Sequence, residues 1–110
     1  MRRAALMTVF ALAAPGLAAR TNVPPEDWPR VKCELYARAT AEALQRFGRT
    51  GLGAEFLTRH EAFLASGCQG ERDACPKSPE ELRLANALVI RGMNAGLAST
   101  FFPFACPKGR

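Results

Sequence analysis

His60 is the only histidine in the chain and the first residue to raise the question of chemistry. An imidazole can act as a general base, but a catalyst also needs a nucleophile and an orienting group within reach. Glu61 is its neighbour in sequence, yet on a helix it would point about 100° away, so the two form no dyad. No Ser/His/Asp grouping follows from the spacing. Zinc wants Cys and His clustered at short intervals, whereas Cys68 and Cys75 are separated by six residues with no second histidine. Covalent haem attachment would need Cys-x-x-Cys-His, which is absent. His60 and Met93 could form an axial pair for haem, but a methionine in an apolar helix more simply fills a core gap. Glu80 and Glu81 suit the positive end of a helix, Glu71 and Asp73 flank Arg72 in a polar stretch, and no two carboxylates converge as a glycosidase requires. The inventory predicts a non-enzymatic protein with no catalytic residues, no metal and no cofactor.

The four cysteines are better read as staples. Met1-Arg2-Arg3, the apolar run Ala4 to Ala14 and the small residues Gly16 and Ala18 have the layout of a secretory leader. The run is also shorter than the about 20 residues that span a bilayer. Cleavage is expected after Ala18, or after Ala19, which places the protein in the periplasm or outside the cell. Cys33, Cys68, Cys75 and Cys106 all follow the cut, and an even count in a short exported chain predicts two disulfides. The full chain carries 15 basic and 10 acidic residues. Losing Arg2 and Arg3 with the leader leaves 13 against 10, a charge of +3. That surplus is too weak and dispersed for nucleic acid.

The elements that must hold these residues are helical. Residues 19–28 are expected to form an extended, polar, proline-containing lead-in, and residues 29–110 the helical, disulfide-bonded domain. Cys33, Tyr36, Thr40, Ala43, Leu44 and Phe47 recur at three- and four-residue steps and predict a helix ending at Gly48. A second helix follows from about Ala54 to Ser66, with Phe56, Leu57, His60, Phe63 and Leu64 on its inner face, so His60 is expected to be a partly buried structural residue with a hydrogen-bonded ring. The short connection makes the pair antiparallel.

Ser78-Pro79-Glu80-Glu81 opens a third helix with a capping box. Its apolar residues cover most of the circumference, which predicts a central helix wrapped by the others. Continued to Phe101 it would be about 34 Å long, and five extended residues, about 16 Å, would not return Cys106 to the other cysteines. A break at Gly92–Gly96 is therefore expected, with Gly92 stopping one helix and Asn94 capping the next. The competing reading keeps the helix whole and uses Gly92 and Gly96 for close contact. The fold class is all-α: three to four short helices stapled by two disulfides. For their pairing, Cys68–Cys75 with Cys33–Cys106 is favoured over Cys33–Cys68 with Cys75–Cys106.

Cys75-Pro76 ahead of a helix, and Phe102-Pro103 followed closely by Cys106, resemble the small helical, disulfide-bonded periplasmic immunity proteins that neutralise secreted amidases. The resemblance covers less than a third of the chain. It implies a helical inhibitor of another protein.

Phe101, Phe102 and Phe104 beside Pro103 are the densest aromatic cluster in the chain. They either close the core beneath Trp28 or leave an exposed anchor, since neighbours on a helix cannot share one face and aromatics dominate interface hot spots. The expected partner-binding patch is Arg91, Asn94 and the more exposed of Phe101 and Phe102. The function expected is binding of another envelope or secreted protein, as an inhibitor, immunity factor, chaperone or accessory subunit. The alternative is a saposin-like helical protein that acts on membranes.

Overall fold

The computed structural model describes residues 24–108; the leader and residues 19–23 of the lead-in lie outside them. Three helices, α1 (Trp28–Phe47), α2 (Ala54–Ala65) and α3 (Pro79–Asn94), are joined by turns and extended segments, with one-turn 3-10 helices before α1 at Pro25–Asp27 and after α3 at Ser99–Phe101. The end of the lead-in expected to be extended is thus helical, because Pro25 presets φ for a first turn that runs on into α1 at Trp28. The small all-α bundle with two disulfides is observed.

Each helix stops where the sequence supplies a residue for positive φ. Gly48 (φ 78°) ends α1 with its N–H on Leu44 O. The ends of α2 and α3 are built alike. After α2, the N–H of Gly67 reaches Leu64 O and that of Cys68 reaches Phe63 O. After α3, the N–H of Gly96 reaches Met93 O and that of Leu97 reaches Gly92 O. Both are Schellman stops, with Gly67 at φ 75° and Gly96 at φ 103° in the left-handed position that glycine adopts without strain. The break in the third helix thus lies inside Gly92–Gly96, but Gly96 makes it. Asn94 is the last helical residue and caps no new helix.

Gly92 has a different task. A Cβ built there would lie 2.5 Å from Phe102 Cζ and 3.1 Å from Leu97 Cδ1, so its bare backbone is the seat of the folded-back tail. Gly92→Ala should overpack this seat and lower stability by about 1–3 kcal/mol. Urea unfolding at neutral pH checks it, and an unchanged midpoint would mean the tail is not held there.

The capping box of α3 forms and extends beyond its helix. Ser78 Oγ accepts from the Glu81 N–H at 3.0 Å, and the Glu81 carboxylate accepts from the N–H groups of Ser78 (3.1 Å), Lys77 (2.7 Å) and Gly53 (2.7 Å). Ser78 Oγ also donates to Gly51 O. Glu81 is buried, which alone would raise its pKa, but the backbone donors outweigh burial and hold the carboxyl below its usual range. One side chain therefore starts α3 and fastens the α1–α2 turn to it.

The disulfides are Cys33–Cys68 and Cys75–Cys106, so the favoured pairing, Cys68–Cys75 with Cys33–Cys106, is corrected. An antiparallel α1–α2 hairpin sets Cys33 and Cys68 level, since they are nearly equidistant from its turn. Residues 69–77 do not close on themselves but run back along α2. Asp73 pairs with Arg59, and Lys77 meets Glu81 near Gly53. Cys75 thus sits toward the opposite end of α2 from Cys68. The tail after Gly96 runs beside this segment: Arg72 Nε donates to Phe101 O and the Ala74 N–H to Pro103 O, which brings Cys106 to Cys75.

The core gathers around Tyr36, whose ring is fully enclosed and meets Phe63, Phe101 and Phe102 edge-on at centroid separations of 5.5–6.0 Å. Such contacts add to burial because a positive ring edge faces a negative ring face. The expectation of a central α3 is corrected here. Leu84, Ala85, Leu88 and Gly92 face the core, while Leu82, Ile90 and Met93 are exposed on the opposite side.

Candidate functional site

Two places collect the side chains that the sequence singles out, one sealed and one open. The sealed one is the pair Tyr36–His60. Tyr36 from the middle of α1 and His60 from α2 share a 2.7 Å hydrogen bond between the phenol oxygen and Nε2. The His60 ring is 4% exposed and lies parallel to Phe56 and Phe104, with centroids 6.1 and 5.7 Å away. Burial lowers the His60 pKa to about 4 and raises that of the Tyr36 phenol, so both are neutral at neutral pH. Thr40, one turn after Tyr36, is buried beside the pair. The pair could exchange a proton in principle, but both side chains are closed off from solvent. Its geometry is that of a satisfied polar contact in an aromatic core, as expected for His60. Met93 is exposed on the outer face of α3, while His60 Nε2 is taken by Tyr36. No cluster of three potential metal ligands occurs among the described residues.

The open place lies between α1 and α3. Arg83 lies over Phe47 and Arg91 pairs with Glu42, so α3 runs antiparallel to α1. The facing positions Ala39, Ala43 and Ala87 are small, and small residues between two helices leave a trough where larger ones would interdigitate. The result is a groove of about 750 Å³ with Leu88 at its base, walled by Phe47 and Ile90 and edged by Glu42, Arg46, Arg91 and Asn94. Ile90 is 62% exposed and Phe47 40%. Exposed large apolar side chains flanking a concave surface are what an interaction site presents.

Of the expected patch, Arg91 and Asn94 are exposed and edge this groove. Phe101 and Phe102 do not join them. They are 8% and 7% exposed and pack on Tyr36, Phe63 and the bare backbone of Gly92, so neither is an outward anchor. The reversal at Gly96 resolves the crowding expected of neighbouring rings, because Phe102 follows the 3-10 turn in extended backbone and the two rings meet at 87°. Trp28 does not cover them; it is exposed at the start of α1. The groove residues missed by sequence reasoning are Phe47, Ile90 and Arg46, with Arg83 beside Phe47 at its end. The signal that could have found them is the alanine at 39, 43 and 87, which leaves space where a core would be filled.

No family model, curated protein or solved structure matches the chain. Two disulfides are characteristic of an oxidising compartment. No helix among the described residues is long and apolar enough to cross a membrane.

Proposed function

We propose that this is an exported, non-enzymatic protein of the periplasm or cell exterior that binds another protein, as an inhibitor, immunity factor, chaperone or accessory subunit does. The observation behind this reading is the groove between α1 and α3, where Ile90 and Phe47 stand exposed beside Arg91 and Asn94. Two helices flank it, tied together by the Arg91–Glu42 pair and by Arg83 over Phe47. The sealed Tyr36–His60 pair offers nothing comparable for catalysis. A photocrosslinking residue at position 94, introduced into the full chain and activated in the native envelope, should form an adduct with one protein. Ile90→Asp should remove that adduct without lowering the melting temperature. Binding to liposomes with no protein adduct from position 94 or from the exposed faces of α1 and α2 would refute the reading. It would favour the membrane-active alternative, for which the exposed Leu82, Ile90 and Met93 on one helix are the supporting observation.

A further inference from the structure

The charges around the groove say more about what fills it. Arg46 and Arg91 edge it, and Arg83 stands at its end with its guanidinium 5.6 Å from the centroid of the Phe47 ring. Glu42 is the one carboxylate on the edge, and Arg91 engages it. Among the described residues neither Arg46 nor Arg83 has a carboxylate partner. The site is therefore an apolar trough of small side chains with a net positive edge. Along α3 it runs from Ala87 to Asn94, about 10 Å or two helical turns, with Arg83 about one turn beyond.

Resting on the protein-binding reading, we propose that the α1–α3 groove receives an amphipathic helix of a partner protein, with its apolar face on Ala39, Ala43, Ala87 and Ile90 and carboxylates flanking that face toward Arg46, Arg83 and Arg91. A helix lying in such a trough presents anchors at i, i+3 or i+4, and i+7. Carboxylates placed beside the anchors complement the arginine edge, and arginine suits them because its planar fork binds carboxylates two bonds at a time. Charge argues against the other occupants. A second copy across a two-fold axis would set Arg46, Arg83 and Arg91 against the same residues of its mate. Residues 1–18 of this chain carry Arg2 and Arg3 and no acid. An anionic bilayer would match the charge but not the shape, because a flat surface does not fill a trough between two helices.

The test is selection from a display library of helical peptides of roughly 18 residues, long enough to hold a helix. Apolar anchors are fixed at helical spacing, and the flanking positions vary among Glu, Gln and Lys. The target is the full oxidised protein. Enriched peptides should carry glutamate beside the anchors and should bind at least about tenfold more weakly to Ile90→Asp, whose wild-type side chain is too exposed for the change to unfold the domain. The double variant Arg46→Glu/Arg83→Glu should turn the selection toward lysine. Circular dichroism confirms that each variant is folded. Absence of enrichment, enrichment without glutamate, equal binding to Ile90→Asp, or stronger binding to phosphatidylglycerol vesicles than to any peptide would each overturn the proposal. If position 94 still crosslinks to an envelope protein when the selection fails, the docking mode falls and the protein-binding reading stands. If both fail, both fall.

Discussion

Reduction of both disulfides should unfold the domain at neutral pH and 37 °C. Cys33–Cys68 closes a loop with a separation of 35 residues and Cys75–Cys106 one of 31. In the chain-entropy account a loop of that length restricts the unfolded chain by about 4 kcal/mol. The two loops follow one another without overlap, so their effects on the unfolded chain should add to about 7–8 kcal/mol. That is comparable to the whole stability of a small domain, about 5–15 kcal/mol. A domain of this size buries too little apolar surface to make up the loss.

The two bridges also hold different things. Replacing Cys33 and Cys68 with serine together frees the start of α1 from the end of α2, but the Tyr36–Phe63 contact still joins those helices. Replacing Cys75 and Cys106 frees the end of the tail. The tail then keeps only its non-covalent contacts, Phe101 on Tyr36 and Phe63, Phe102 on Tyr36 and Gly92, Phe104 on Phe56 and His60, and the Ala74–Pro103 and Arg72–Phe101 bonds. Each pair replacement should therefore cost about 3–4 kcal/mol in urea unfolding, with the second also exposing Phe104. A non-reducing peptide map should recover the fragments joined as Cys33–Cys68 and Cys75–Cys106. A map joining Cys68 to Cys75 would contradict the path of residues 69–77 along α2.

The sequence made the helices legible because their signals are local. The capping box at Ser78–Glu81, the three-and-four spacing from Cys33 to Phe47, and the glycines at 48 and 67 each act within one or two turns. Burial of His60 was legible for the same reason, since Phe56 and Phe63 mark its stripe. What failed was long-range. The pairing of the cysteines depends on the direction taken by residues 69–77, an extended segment without periodicity. That direction is fixed by the Asp73–Arg59 pair and the Ala74–Pro103 bond, whose partners lie far apart in sequence, and by Glu81, which ties Lys77 to the distant Gly53. The burial of Phe101 and Phe102 depends on Gly92 being a seat rather than a stop. A glycine in a helix gives no hint in sequence of which ring will lie against it. The outward face of α3 differs because apolar residues all round a helix imply burial, whereas among the described residues no element covers Leu82, Ile90 and Met93. The groove is the part of the site least legible in sequence, since it is made by what alanines leave empty.

Acid should weaken the domain well above the range in which its carboxylates titrate, and His60 should be the cause. A free imidazole titrates near 6.5, whereas burial holds His60 at about 4 in the folded protein. Between those values the unfolded chain binds a proton that the folded chain refuses, so stability must fall as pH falls. The loss begins near pH 6.5, is complete near pH 4, and at about 1.4 kcal/mol per pH unit amounts to about 3 kcal/mol. Glu81 acts in the same direction but lower. Its folded pKa lies below 4.5, so its contribution is present above that value and is lost as pH falls through the folded one. The two can be separated by pH and by mutation. Urea unfolding of the wild type should show a stability that declines from pH 6.5 to pH 4.5 with a slope approaching one proton. His60→Gln cannot take up that proton, and an amide can still meet the Tyr36 hydroxyl. Its stability should be lower at pH 7 by about 1–2 kcal/mol through imperfect hydrogen bonding and packing, yet nearly flat down to pH 4.5. The curves should converge or cross near pH 5. Tyr36→Phe alone should not flatten the slope, because it leaves the imidazole buried. A wild-type slope that survives in His60→Gln would place the acid sensitivity elsewhere and would mean that the imidazole is less enclosed than the parallel rings of Phe56 and Phe104 make it.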